Sequence, residues 1–210
     1  CRAGVRRTGP GGLIAALAGA VLSRVFRNAF RSLGERITVR PRGGFLEAIR
    51  PFLENGAFPV AETRADDPAA ILFTSGSTGP PKGVRYEHGM FEAQVRLIRE
   101  RYAIQPGEVD LPMLPVFALF NPAMGMTTVV PEMNPSRPAA VDPAKIVQAI
   151  RQNRVTNSFG SPVLWTKIGR YCLARDIVLP SLKRVLVAGA PVSPELARMY
   201  RKILVNGELH

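Results

Sequence analysis

Ten consecutive residues, Thr74-Ser75-Gly76-Ser77-Thr78-Gly79-Pro80-Pro81-Lys82-Gly83, carry the densest chemistry in this 210-residue chain. Four of the first five are Thr or Ser, and Gly76 and Gly79 let backbone amides approach an anion closely. The hydroxyls of Thr74, Ser75, Ser77 and Thr78 add donors, and Lys82 brings a mobile positive charge. Charge-assisted bonds of this kind are the strong ones. A triphosphate needs such a loop. It is not a Walker A loop, because no Gly-Lys-Ser/Thr closes it at the required spacing, and Gly76 and Gly79 lack the third glycine of a dinucleotide fingerprint. A plain turn rich in small residues has no need of four hydroxyls, a paired proline and a lysine in that order.

The elements that must hold this loop are legible on either side of it. Ala70–Thr74 reads as a buried strand running into the loop, and Val84–Tyr86 as the strand that returns. A helix follows from about His88 to Tyr102, with Phe91, Val95, Ile98 and Tyr102 on one face at helical spacing. Val109–Leu114 is extended, Phe120–Met126 reads as a short helix, and Thr127–Val130 as a strand. Asp142-Pro143, Ser161-Pro162 and Ser193-Pro194 are three helix starts of the cap-then-proline kind. They open Ala144–Asn153, with Ile146 and Ile150 inward, a helix reaching Ala174, and a third helix. Val155–Phe159 and Arg184–Ala188 are the strands between them. Strands alternating with such helices argue for a layered α/β domain with a mainly parallel sheet.

Upstream of Asp66 the texture differs. Residues 1–65 read as a basic, partly helical lead-in to the same domain, helical over 13–33, a strand over 36–40 and helical over 44–55; residues 66–210 read as the domain core. The first 50 residues hold ten Arg and two Glu, which is +8 of the net charge of +12. The excess is therefore local. It carries no aromatic-interleaved platform of the kind RNA binders use, so a solvated or lipid-facing basic surface is the expectation, not nucleic-acid binding. Arg2 to Arg7 followed by an apolar run imitates a signal peptide, but the run before Arg24 is too short to span a bilayer. The chain has no initiating Met, which suggests a start part-way through a longer protein. The two cysteines, Cys1 and Cys172, have no metal-type spacing; Cys172 lies in an apolar helical stretch and reads as an inert core thiol, and Trp165 as a core residue. This cysteine usage fits a reducing, cytoplasmic setting.

The stretch Ile71-Leu72-Phe73 followed by the loop and Gly83-Val84 resembles the phosphate-loop motif of the ANL superfamily of AMP-forming acyl-adenylating enzymes. That resemblance implies an α/β fold, the layered sheet-and-helix N-terminal domain of these enzymes. It implies that Thr74, Ser75, Gly76, Ser77, Thr78, Gly79 and Lys82 hold the phosphates of ATP with Mg2+, with Lys82 and Thr74 acting in catalysis. Gly189-Ala190-Pro191 resembles the family's turn that packs on adenine, and Phe159-Gly160-Ser161-Pro162 its turn lining the acyl pocket. The chemistry implied is attack of a carboxylate on the α-phosphorus and loss of pyrophosphate.

The segment Leu114 to Met126 resembles the "LPLFH" stretch of fatty acyl-CoA synthetases, with Ala118 where those enzymes usually carry His. With His88-Gly89-Met90-Phe91 it looks closest to the branch of olefin β-lactone synthetases, which act on long-chain β-hydroxy acids and need no coenzyme A. Phe117, Ala118, Phe120, Gly160 and Ser161 are then the expected acyl-pocket residues, and His88 a packing or hydrogen-bonding residue. A small-molecule fatty or β-hydroxy acid is the implied substrate, with a thiolase and a reductase as possible assembly partners and peripheral membrane contact through residues 1–50. The chain ends where the family places its "YG-x-TE" motif, so this piece alone is expected not to turn over, and no metal ligand is expected within it. Two alternatives stay open: a long-chain acyl-CoA or acyl-carrier-protein ligase of the same fold, and a non-catalytic nucleotide- or membrane-binding module.

Overall fold

A computed structural model describes residues 12–16, 21, 24–25, 27–29, 31, 35–39, 50, 61–74, 82–134 and 137–210. The chain divides into two units, residues 1–91 and 92–210, each described by itself.

In the first unit, strand β1 (Gly12–Ala16) pairs in parallel with β2 (Glu35–Val39), Gly12 opposite Glu35 and Ala16 opposite Val39. This corrects the helix expected from residue 13 onward. The run Gly-Leu-Ile-Ala-Ala has no decisive period of its own, and pairing with the β-branched Ile37-Thr38-Val39 decides it. Helical turns do occur later in that stretch, including a 3-10 turn at Arg27–Ala29. The helix expected over 44–55 lies outside the described residues except at Arg50, which is helical.

Strand β3 (Pro68–Thr74) pairs antiparallel with β4 (Lys82–Glu87), with Ala70 opposite Tyr86 and Thr74 opposite Lys82. The expectation that β3 is buried does not hold: Ile71, Leu72 and Phe73 are 47%, 44% and 38% exposed. A two-stranded ribbon offers no second layer to cover its own apolar side chains. Helix α1 (His88–Arg101) starts directly after β4. The His88 amide donates to the Asp67 carbonyl at 3.1 Å and the Gly89 amide to the Ala65 carbonyl at 2.8 Å. The Tyr86 ring stacks on Phe91 at 5.3 Å, fixing the turn from strand to helix.

The second unit holds β5 (Val109–Pro112), β6 (Thr127–Thr128), helix α2 (Pro143–Gln152), β7 (Asn157–Gly160), helix α3 (Pro162–Leu173), β8 (Arg184–Val187), helix α4 (Pro194–Ile203) and β9 (Glu208–Leu209). The five strands form one sheet in the order β6-β5-β7-β8-β9, and every pairing is parallel. The expected alternation of strand and helix is therefore present. Between β5 and β6 the expected single helix over Phe120–Met126 is instead two 3-10 turns, Pro115–Phe120 and Pro122–Met124. Pro115 and Pro122 each start a turn, and Gly125 at φ 72° ends the second in a left-handed conformation that stops the helix.

All three Pro-initiated helices form where the sequence places them. Asp142 accepts a hydrogen bond from the Ala144 amide at 2.9 Å, and Ser193 Oγ from the Leu196 amide at 3.1 Å. Ser161 precedes its helix without a side-chain cap bond. The three helices cover one sheet face, burying Ile146, Ile150, Leu164, Trp165, Ile168, Cys172 and Ile203 against Leu111, Val155 and Val185. Complete burial of a side chain such as Ile150 stabilises the fold by roughly 1.5–3 kcal/mol. Burial also pushes the Cys172 thiol up to about 11, which keeps it protonated and unreactive. Among the described residues no helix is long and apolar enough to cross a membrane.

The amino ends of β5, β7 and β8 are tied by one carboxylate. Glu108 accepts from Arg184 Nη1 at 2.5 Å and from Asn157 Nδ2 at 2.6 Å, and Lys183 Nζ stands 3.7 Å away. Arg184 Nη1 also donates to Asn157 Oδ1 at 2.7 Å. Burial pushes the Glu108 pKa up, but hydrogen bonds from Asn157 and Arg184 and the charges of Arg184 and Lys183 more than offset it, holding the carboxyl below its ordinary value. Removing one partner of such a pair leaves an uncompensated buried charge. Arg184→Met is therefore expected to lower the unfolding free energy by about 3–5 kcal/mol. Urea denaturation of the full-length protein measures it, and a loss under about 1 kcal/mol would show the pair to be no better than a surface one.

Candidate active site

The expected phosphate-binding loop connects β3 to β4. Register places Thr74 directly opposite Lys82, so the last residue before the loop and its lysine form the closing pair of an antiparallel ladder. The backbone of Thr74 and all of Lys82 are described, with Lys82 exposed. Ser75, Gly76, Ser77, Thr78 and Gly79 lie outside the described residues. Gly83 follows in β4, and a Cβ there would come within 3.1 Å of Ile71 and 3.2 Å of Phe73. The glycine lets the apolar side chains of β3 lie across the strand.

In the second unit, the other expected site residues gather at the carboxyl ends of the parallel strands. This is the edge of an open α/β sheet at which ligands bind. Gly160 ends β7, and the Ala188 amide at the end of β8 donates to its carbonyl at 3.3 Å. The turns Gly160-Ser161 and Gly189-Ala190-Pro191 are thereby neighbours. Gly189 has φ 94°, a conformation that L side chains rarely adopt, and Ala190 and Pro191 are exposed. At Gly160 the constraint is space: a Cβ would collide with Met113 Cε and lie 2.9 Å from Trp165 Nε1. Trp165 is fully buried beneath this turn, and its Nε1 has no hydrogen-bond partner among the described residues. The indole is held edge-on to Tyr200 at 5.5 Å, and the Tyr200 hydroxyl donates to the Trp165 carbonyl at 2.8 Å.

Phe117 stacks on Phe159 with centroids 3.7 Å apart and stays 40% exposed. Ala118 is half-buried and its carbonyl accepts the Asn121 amide at 3.2 Å, closing the first 3-10 turn. Phe120 is half-buried. Phe117, Phe120 and Phe159 border a cavity of about 70 Å³ on the sheet face opposite α2, α3 and α4, with Ile98, Met124 and Leu186 as further walls. His88 is half-buried at the start of α1 in the first unit, and His210 stands edge-on to Tyr102 at 5.4 Å in the second.

Sequence reasoning missed the polar floor of this cavity. Alternation along β5 sends Leu111 into the core and Asp110 to the other face. Asp110 is 7% exposed, and Asn121 Nδ2 donates to its Oδ2 at 2.9 Å and to Thr128 Oγ1 at the same distance. The signal was available: an aspartate inside the apolar run Val109-Asp110-Leu111 is a buried polar group, which is the informative kind of observation.

Burial raises the Asp110 pKa to about 6, against lowering by hydrogen bonds from Asn121 and the Leu111 backbone. A carboxyl raised in the folded state holds its proton to higher pH than in the unfolded chain. Its stability contribution is complete below the ordinary aspartate value and is lost as pH rises from there through about 6. Asp110→Asn is expected to flatten the pH dependence of the thermal midpoint between pH 4 and 7 and to raise stability at neutral pH by on the order of 2 kcal/mol. Parallel pH-dependent slopes in the two proteins would contradict this.

Known proteins resemble this chain in sequence and in fold. The profile of the AMP-binding enzyme family matches residues 26–210. The olefin beta-lactone synthetase of Xanthomonas campestris pv. campestris is 49% identical over 145 residues, covering 69% of this chain and 25% of its own length. That of Stenotrophomonas maltophilia is 41% identical over 196 residues, covering 90% of this chain and 35% of its own. The chain thus spans about a quarter to a third of these relatives. Among solved structures, the inhibitor-bound N-terminal domain of FACL13 from Mycobacterium tuberculosis superposes with a TM-score of 0.76 at 21% identity, over 98% of this chain and 50% of that one, a likeness of fold. With a family profile over residues 26–210 and two relatives above 40% identity, the chain belongs to the AMP-binding enzymes of the ANL acyl-adenylating superfamily.

Proposed function

We propose that the protein to which this chain belongs activates a long-chain β-hydroxy fatty acid with ATP and then closes it to a β-lactone. The observation that carries the first step is the β3–β4 hairpin, whose ladder ends on the pair Thr74 and Lys82 at the mouth of a loop of glycines and hydroxyls. In this reading Thr74, Ser75, Gly76, Ser77, Thr78, Gly79 and Lys82 grip the phosphates of ATP·Mg2+, the ion arriving with the nucleotide. Gly189, Ala190 and Pro191 pack on adenine, and Phe117, Ala118, Phe120, Gly160 and Ser161 face the acyl chain.

The carboxylate oxygen of the acid attacks the α-phosphorus, the bond to the bridging oxygen breaks, and pyrophosphate leaves with the charge that Lys82 neutralises. The acyl-adenylate then carries an activated carbonyl. Attack by the substrate's own β-hydroxyl oxygen, with loss of its proton, expels AMP and closes the four-membered ring. Ala118 supports the second step, because it offers no imidazole beside the carbonyl where thioester-forming relatives of this segment usually carry one. The 49% identity to an olefin beta-lactone synthetase supports the same assignment. Residues 1–65 belong, in this reading, to the same domain as the core, and a thiolase and a reductase acting on the same chains are the natural assembly partners.

Lys82→Ala in the full-length protein is expected to slow adenylate formation by about 100-fold or more, the scale of losing one charge-stabilising donor. Hydroxylamine trapping of the acyl-adenylate measures it: a rate within tenfold of the wild type would remove Lys82 from the catalytic step, and no adenylate from the wild type itself would point to a non-catalytic module. Mass spectrometry of the full-length enzyme's product with a β-hydroxy acid is expected to find the acid less one water and free AMP. A coenzyme A thioester in its place would assign the protein to the ligases.

A further inference from the structure

The cavity beside Phe117 and Phe120 has a chemical asymmetry that its place in an acyl pocket does not explain. Its walls are Ile98, Phe117, Phe120, Met124, Phe159 and Leu186, all apolar, whereas its floor is polar. Asp110 supplies a carboxyl that Asn121 holds through Oδ2 at 2.9 Å, and Asn121 is itself held by Thr128 at 2.9 Å. The neighbouring cation is spoken for, because Arg184 is engaged by Glu108 and Asn157. A pocket that had only to hold a hydrocarbon chain would place an apolar side chain at residue 110, since burying a carboxyl without a partner is costly.

The depth of this floor matters. Asp110 lies two residues before Pro112, the carboxyl end of β5, and so roughly 7 Å below the edge at which the acyl carbonyl would react. A group meeting Asp110 therefore stands a few carbons from the reacting carboxyl, not at the far end of a long chain. About 70 Å³ admits only a few heavy atoms, and a charged amine entering apolar walls would lose far more hydration than a neutral donor. A hydroxyl fits: one donor, small, and uncharged.

We infer that Asp110, oriented by Asn121, accepts a hydrogen bond from a hydroxyl near the carboxyl end of the acyl chain and makes the pocket select hydroxylated over plain acids. This rests on the reading of Phe117, Ala118 and Phe120 as acyl-pocket residues. Asp110 is a specificity residue, and Asn121 a positioning residue that acts through it.

The test is calorimetric binding of 3-hydroxydodecanoic, dodecanoic and 3-aminododecanoic acids to the full-length protein, so that it does not depend on turnover. The wild type is expected to bind the hydroxy acid more than about tenfold tighter than the plain acid, the scale of one hydrogen bond to a charged group. Asp110→Leu is expected to bring that ratio to about one while binding of the plain acid is kept or improved, since the change removes only the acceptor. Asp110→Asn keeps an amide oxygen in the same place and is expected to retain part of the preference, which a merely structural role for residue 110 would not produce. A wild-type ratio near one, a ratio unchanged by Asp110→Leu, or tighter binding of the amino acid than of the hydroxy acid overturns the assignment. Selective binding without adenylate formation would leave the inference standing and sink the adenylation reading; adenylation of both acids alike would do the reverse.

Discussion

Glu108 does for the second unit what no single apolar contact can do. Its carboxylate reaches Asn157 on β7 and Arg184 on β8 from a position just before β5, so three parallel strands share one polar anchor at their amino ends. Parallel ladders have evenly spaced, slanted bonds and no hairpin to set their alignment. A slip of one residue would turn every side chain to the opposite face. The register Asp110–Asn157–Arg184 that results decides which residues emerge at the other end of the strands. Phe159 faces Phe117, Gly160 faces Trp165, and Gly189 follows β8 because that row is aligned.

From this alignment the two faces of the sheet acquire different tasks. One is sealed by α2, α3 and α4 with Ile146, Ile150, Leu164 and Ile168 completely buried. The other carries Asp110, Asn157, Phe159 and Leu186 under the 3-10 turns and Ile98. The sealed face supplies the stability that allows the opposite face to keep a cavity and a buried carboxyl. Active sites are commonly where such locally unfavourable groups are tolerated.

Much of this was readable from residue order because the signals were local. The three helix starts rest on an Asp or Ser followed by Pro, chemistry confined to one turn. The proposed phosphate loop likewise rests on ten adjacent residues. What escaped was non-local. Gly12–Ala16 became a strand because Glu35–Val39 pairs with it, a partner that no window around residue 13 contains. Ile71, Leu72 and Phe73 read as buried, yet burial depends on what covers a strand and not on the strand itself. Asp110 and Asn121 belong to no motif; the end of β5 and a 3-10 turn fold back to bring positions eleven apart in sequence to 2.9 Å. The candidate site was thus legible where it is a motif and hidden where it is a meeting of distant side chains.

The glycine at 160 has a consequence for how this protein can be observed. The chain contains one tryptophan, and its indole lies fully buried directly beneath Gly160, its N–H without a hydrogen-bond partner among the described residues. An indole so completely buried emits toward the blue. Within this chain the tryptophan emission therefore comes from a single place, the underside of the turn where two strand ends meet. The turn carries its own optical reporter, read without a label and without altering a residue.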